Sequence, residues 1–205
     1  MLSRKISNRG GRKVISLFPT RHDHSVWCES LNELYFAHLL DIDPDILDFE
    51  EQPSPLHYSL EGKRHRHTPD FLAKRKTGKY LYQVKPHEVA ITAEWQEKFR
   101  AIAVEAKRQG YEFEVITDRW IKQEPRLSNV QILRRYCTEP FTEEHRLVAI
   151  KLFATYPQIT LGGMRAGFEH CGFTKQSLYA MIYHGLISLP LEHPISDHSN
   201  LTSRL

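Results

Sequence analysis

The sequence predicts an α/β domain, a mixed sheet flanked by helices, followed by a small and mostly helical second domain. Three observations carry this. Between residues 26 and 117 a helical pattern, four short runs of strand character, a second helical pattern and a further strand follow one another. Pro, Gly and charged residues punctuate the runs, as turns between strands require. After Arg126 the strand runs give way to short helical segments around a glycine turn. The 205 residues, 40 % hydrophobic and 26 % charged, suffice for one good-sized core and a small one.

The elements follow in order. Val26-Trp27-Cys28 reads as a short extended piece. Ser30 then opens a helix in which Leu31, Leu34, Tyr35, His38 and Leu39 share a face, and Asp43-Pro44-Asp45 stops it. Ile46 to Gln52, Leu56 to Leu60, Thr68 to Lys74 and Lys79 to Lys85 are the strand runs. A second helix covers about Thr92 to Gln109. Its Trp95, Phe99, Ile102 and Ala106 recur at helical spacing and read as core, with Gly110 at the stop. Tyr111 to Thr117 is the last strand, and a helix on either side of the sheet buries both of its faces.

In the second domain, Thr142-Glu143-Glu144 caps a helix that ends before Pro157. Thr160 to His170 and Thr174 to His184 are two short helices joined through Gly172-Phe173, and Gly185 to Leu189 leaves as a strand. That order resembles a helix-turn-helix of winged type. The expected organisation is a basic arm over 1–22, the α/β domain over 23–138 and a winged-helix-like domain over 139–205.

Charge narrows the function. The net charge is +3, with 23 Lys/Arg against 19 Asp/Glu in residues 1–138 and 5 against 6 beyond. The first 22 residues hold Arg4, Lys5, Arg9, Arg12, Lys13 and Arg21 and no acid, a composition suited to tracking phosphates. Lys63-Arg64-His65-Arg66-His67 alternates along a strand among basic groups, which favours DNA contact or solvation over a zinc site. Arg4, Lys5, Arg9, Arg12, Lys13, Lys63, Arg64, Arg66 and His87 are therefore the candidate DNA-binding residues. The second of the short helices offers only Lys175, Gln176, Tyr179, Tyr183 and His184, so the near-neutral second domain reads better as a protein-docking module. Cys28, Cys137 and Cys171 are scattered without CxxC spacing, which argues for reduced thiols rather than disulfides or a zinc knuckle. No apolar run reaches the eighteen residues of a membrane span, and no apolar segment follows the N-terminal basic residues as in a secretory signal. A Gly-rich phosphate loop and a Ser/His/Asp or Cys/His nucleophile arrangement are both missing, so ATP use by this chain is not expected.

The chemistry concentrates in one stretch, His67 to Pro86. Alternation puts Leu81, Gln83 and Lys85 on one strand face. If the turn at Lys76-Thr77-Gly78 is centred between Lys76 and Thr77, Asp70 lies opposite Gln83, about 5 Å away between Cβ atoms. A slip of one residue destroys that arrangement. A hard divalent cation such as Mg²⁺ takes oxygen ligands. Asp70 offers a carboxylate, Gln83 an amide oxygen and Val84 a carbonyl, while Lys85 is placed to orient water and steady phosphate charge. A second acid is needed. Glu33 on the first helix is one candidate, but Ser30-Leu31-Asn32-Glu33 also matches a capping box in which Glu33 bonds the Ser30 N–H. Glu29 is the rival ligand.

Together these residues resemble the PD-(D/E)xK nuclease signature. A fuller pattern is more specific: Glu29-Ser30-Leu31-Asn32-Glu33, Asp43-Pro44-Asp45 with Glu51-Gln52-Pro53, Thr68-Pro69-Asp70-Phe71-Leu72, Gln83-Val84-Lys85-Pro86 and Thr117-Asp118. In that order, over roughly residues 15–125, the chain resembles TnsA, the endonuclease subunit of heteromeric transposases. The resemblance implies a restriction-endonuclease-like fold and Mg²⁺-dependent hydrolysis, with Mn²⁺ tolerated. It implies Glu33 and Asp70 as metal-binding acids, Gln83 as the third ligand and Lys85 as the catalytic lysine. It further implies cleavage of the 5′, non-transferred strand at double-stranded transposon ends beside a TnsB-like transposase. A TnsC-like ATP-dependent regulator would engage the complex, through the C-terminal domain, in the bacterial cytoplasm at the nucleoid. Gln83 stands where relatives of the wider fold carry an acid, which lowers the charge on the metal. Two other readings compete: a free-standing restriction or repair nuclease, and a non-catalytic winged-helix DNA-binding regulator.

Overall fold

The structure is a computed structural model that describes residues 16–22 and 24–205. The expected arm residues Arg4, Lys5, Arg9, Arg12 and Lys13 lie outside the described residues. Two compact units divide the chain, one ending at Lys122 and the other running Gln123–Leu205.

The first unit opens with the antiparallel pair β1 (Ser16–Pro19) and β2 (Ser25–Cys28), followed by helix α1 (Leu31–Ile42). Then come β3 (Ile46–Glu51), β4 (Leu56–Leu60), β5 (Lys63–His67), β6 (Phe71–Arg75) and β7 (Gly78–Lys85). The short α2 (His87–Ala90) leads into α3 (Ala93–Arg108), and β8 (Glu112–Thr117) and α4 (Asp118–Ile121) end the unit.

The central sheet has the order β3-β6-β7-β8. Its first three strands are antiparallel, and β7 and β8 run parallel because α3 returns the chain to the same end. The sheet is therefore mixed, as expected. Alternation along β6 and β7 sends Phe71 and Tyr82 to α1, where they meet the Phe36 ring at 5.7 and 5.1 Å between centroids. Leu81 goes to the opposite layer, into a core of Leu56, Tyr58, Ile102 and Ala106 supplied by β4 and α3. Asp70, Gln83 and Lys85 share the parity of Leu72 and Leu81 and so project toward α3.

Three local differences from the sequence reading have physical causes. The buried part of α1 is the continuous run Phe36–Ile42, whereas Leu31 is exposed and Leu34 and Tyr35 are half-buried. A helix that enters the core with its C-terminal half is covered all round there, so a single stripe misplaces its burial. The run at Thr68 becomes a regular strand only at Phe71, since Pro69 has no N–H to give a ladder. Lys63–His67 instead forms a hairpin with β4, turned at Glu61 and Gly62, both at positive φ as a two-residue hairpin loop favours. His65 stacks on Tyr58 at 5.4 Å and His67 packs edge-on to Phe113, so both half-buried rings have aromatic partners within the protein.

The second unit contains α5 (Arg126–Arg134), α6 (Glu143–Thr155), α7 (Leu161–His170) and α8 (Lys175–Tyr183), with β9 (Ile187–Ser188) paired antiparallel to β10 (Thr202–Ser203). Residues 123–138, which the sequence reading groups with the first domain, pack in this unit. Asn129 on α5 is buried and fastens the segment after β9. Its Nδ2 donates to the carbonyls of Leu191 and His193, and its Oδ1 accepts from the Ile195 N–H. Thr160 caps α7 by accepting the Gly163 N–H, Thr142 forms a capping box with His145 at the start of α6, and Thr174 stands at the N-cap position of α8.

Candidate active site

Strand register decides the site. Phe71 pairs with Tyr82, Leu72 with Leu81 and Arg75 with Gly78, which centres the hairpin between Lys76 and Thr77. The same register carries Asp70 opposite Gln83, and the Asp70 N–H donates to the Tyr82 carbonyl at 2.9 Å. Asp70 Oδ2 accepts from the Val84 N–H at 2.7 Å and from Gln83 Nε2. Gln83 Nε2 also reaches the Val84 carbonyl at 3.3 Å.

These residues open onto a cavity of about 490 Å³. Glu29, Glu33, Asp70, Gln83, Val84 and Lys85 all line it, so the structure brings the four candidate catalytic residues and the Val84 backbone together. Arg66, His67, Thr68 and Trp95 complete the wall. Of the candidate DNA contacts among the described residues, Arg66 alone is at this wall. Lys63 and Arg64 are exposed farther back on β5, and His87 starts α2, its N–H donating to Asp118 at 2.8 Å. That bond holds the Asp118 carboxyl below its ordinary range.

Glu33 arrives from the other layer, on the first turn of α1, and has two jobs. Its Oε2 accepts from the Glu29 N–H at 2.7 Å and its Oε1 from Ser30 Oγ at 3.0 Å, while Ser30 Oγ caps the Glu33 N–H. The cap is therefore real, but the backbone donor is Glu29 rather than Ser30. Glu29 itself is buried and accepts from Gln52 Nε2 at 2.9 Å. Beneath the cavity, Cys28 is buried among the charges of Glu33, Glu51 and Asp70, and burial followed by those acids pushes its thiol far up. It stays a neutral thiol.

Among the described residues no three His, Cys, Asp or Glu side chains are grouped to hold a metal ion. An oxygen set at this position draws instead on the amide and the backbone. The Gln83 Oε1 is buried and, among the described residues, has no hydrogen-bond partner, while its Nε2 is the end turned to Asp70 and the Val84 carbonyl; exchanging the two ends of the amide would set the oxygen beside them. With the amide so turned, Gln83, the Asp70 carboxylate, the Val84 carbonyl and Glu33 would offer the oxygen chemistry that a hard divalent cation takes. His67 fits less well as an ionised group. Burial and then the Lys85 charge push it down to about 4, against an opposing pull from Gln83, so at neutral pH it is an uncharged ring.

Sequence reasoning missed Trp95 and His67. Trp95 sits at helical spacing with Phe99 and Ile102 and so reads as core, yet its ring is half-buried and borders the cavity, with Lys85 Nζ at 4.8 Å from its centroid. The available signal was its position in the first turn of α3, directly after the lysine strand and the short α2.

Residues 43–118 match the family described as TnsA-like endonuclease N terminal. No curated protein matches the chain. The matched segment runs from the end of α1 to the first residue of α4 and includes Asp70, Gln83 and Lys85, with Glu33 preceding it. Over residues 43–118 the chain is therefore similar to the N-terminal domain of TnsA-like endonucleases.

Proposed function

We propose that this protein is the endonuclease subunit of a two-enzyme transposase, cutting the 5′, non-transferred strand at transposon ends while a TnsB-like transposase cuts and joins the other. The observation that carries the proposal is the register of β6 on β7. It sets Asp70 against Gln83 and aims Lys85 from the same face into a cavity that Glu33 also lines. Asp70, Gln83, the Val84 carbonyl and Glu33 would hold a divalent cation, Mg²⁺ with Mn²⁺ tolerated, whose chemistry there would be to acidify a water and polarise the scissile phosphate. The protein's own groups do the rest. Lys85 offers three N–H donors to the attacking water and to charge developing on the phosphate oxygens. Arg66, exposed at the cavity wall, is placed to hold a neighbouring phosphate, and neutral His67 and Val84 keep the floor dry.

The second unit supports a winged-helix-like reading. Its order is α6, an isolated bridge from Thr160 to Asn200, α7, α8 and the β9/β10 pair. We assign it to engagement of a TnsC-like regulator rather than to DNA, because its charge is near neutral.

The test is a strand-resolved cleavage assay on transposon-end DNA with Mg²⁺, with and without a TnsB-like transposase. Wild type is compared with Asp70→Ala and Lys85→Ala. Partner-dependent cuts on the 5′ strand that vanish in both variants are expected. Cuts without the partner would replace the proposal with a free-standing nuclease. DNA binding with no cuts, by folded protein under every condition, would refute the enzyme.

A further inference from the structure

Lys85 has an unusual setting for a lysine assigned to a nuclease site. Among the described residues it enters no hydrogen bond or ion pair, and its ammonium lies over the Trp95 ring at 4.8 Å from the centroid. The ring is itself held. Trp95 donates its backbone N–H to the Thr92 cap at 3.5 Å, and its side chain leans on buried Phe99 at 5.4 Å between centroids. Lys98, paired with Glu94, sits 5.0 Å from the same ring.

We propose that Trp95 is the positioning residue for Lys85, a proposal that rests on the nuclease reading of the site. The chemistry explains why an aromatic ring suits this place. A carboxylate partner would hold the ammonium, but it would also cancel the charge that a phosphoryl transition state needs and compete for its donors. An aromatic face attracts the cation through its quadrupole and accepts no strong hydrogen bond. All three N–H donors of Lys85 thus stay available for water and phosphate oxygens. The aliphatic stem of the lysine is meanwhile kept from sampling its other rotamers, the entropic part of placing a catalytic group.

The alternative role for a half-buried tryptophan at the mouth of a nuclease site is to stack on DNA. The two roles separate in kinetics. A positioning residue changes the rate at saturating DNA, whereas a stacking residue changes the DNA concentration needed for half saturation.

The experiment uses the full chain, as wild type, Trp95→Phe and Trp95→Leu. Its first readout needs no activity: the NMR shift of the Lys85 ε-methylene protons, which a facing indole moves upfield. Lys85→Arg and Lys98→Arg identify the two lysine signals. The upfield shift is expected in wild type, reduced in Trp95→Phe and abolished in Trp95→Leu. Its second readout is single-turnover cleavage with the partner transposase. Trp95→Leu is expected to lower the saturated rate about 3- to 30-fold, the span of a cation–π contact, with half-saturating DNA within about twofold and Trp95→Phe within about threefold of wild type. A Lys85 signal unmoved by Trp95→Leu overturns the proposal. So does a wild-type rate in Trp95→Leu, or a loss confined to half saturation. Shifted lysine signals in a wild type that cuts no DNA would sink the nuclease reading and leave the Lys85–Trp95 contact standing.

Discussion

Gln52 ties two parts of the site together, and its substitution gives a prediction whose order is opposite to the usual one. Its backbone N–H donates to the Asp70 carbonyl at 2.8 Å, and its Nε2 donates to Glu29 Oε1 at 2.9 Å. Glu29 in turn gives its N–H to Glu33, so Gln52 links the strand acid to the helix acid. The residue is buried and sits at φ 45°, in the left-handed region that a side chain disfavours. Gln52→Ala keeps that conformation and removes the donor from a buried carboxylate, a loss of about 1.5–3 kcal/mol. Gln52→Gly removes the same donor but relieves roughly 1–2 kcal/mol of left-handed strain, against about 0.5–1 kcal/mol for the freer unfolded chain. Glycine should therefore be the more stable variant by roughly 0.5–1 kcal/mol. Urea unfolding followed by tryptophan fluorescence measures this, because Trp27, Trp95 and Trp120 all lie in the unit that ends at Lys122. An alanine variant as stable as the glycine one, or within about 0.5 kcal/mol of wild type, would show that the Glu29 bond or the strain is not what holds this corner.

Three further outcomes follow from the same geometry. Asn129→Ala strips three hydrogen bonds from the segment at 191–195 and should cost the second unit about 3 kcal/mol, read by calorimetry; a midpoint near wild type would refute the clamp. His67 titrates at about 4 when folded and near 6.5 when unfolded, so the unfolded chain binds the extra proton between those values. Stability is then full above pH 6.5 and lost as pH falls, by about 2 kcal/mol from pH 7 to 5 in chelator, and His67→Phe should flatten that slope in the fluorescence assay. Glu33→Gln still accepts the Glu29 N–H and should unfold within about 0.5 kcal/mol of wild type, while Glu33→Ala loses about 1 kcal/mol of cap. Both should fail to cut, and a cutting Glu33→Gln would reduce the residue to a cap.

Much of the site was legible because it depends on a two-residue period. Once the turn is centred between Lys76 and Thr77, the pleat alone puts Asp70 opposite Gln83 and Lys85 on the same face. The path of β4 and β5 was less legible. A run of five basic and histidine residues has no apolar face of its own, and its pairing comes from the Glu61-Gly62 turn and from Tyr58 receiving His65. Trp95 was misread for a related reason. Spacing at helical period says which residues share a face, but not where along the helix the sheet stops covering it, and α3 runs past the end of the core at its first turn. Gln52 could not be found at all by pattern, since nothing in Glu51-Gln52-Pro53 announces a left-handed backbone.

The reading of the chain as a DNA-binding regulator with an inert site requires a helix that can enter a groove and present three or four side chains to base edges. In α8, Ser177, Leu178 and Ala180 through Tyr183 are buried, six of its nine residues. What remains is Lys175, Gln176 and Tyr179, and Tyr179 is taken up by the Tyr136 ring at 4.9 Å. One cation and one amide make a poor reading face. Among the described residues, β5 carries Arg64 and Arg66 exposed, and Arg66 borders the cavity. An exposed cation thus stands beside the carboxylates and the lysine, where the proposed chemistry needs a phosphate held. A cation at the cavity and so poor a reading face on α8 favour the enzyme over the regulator, on grounds independent of the family match.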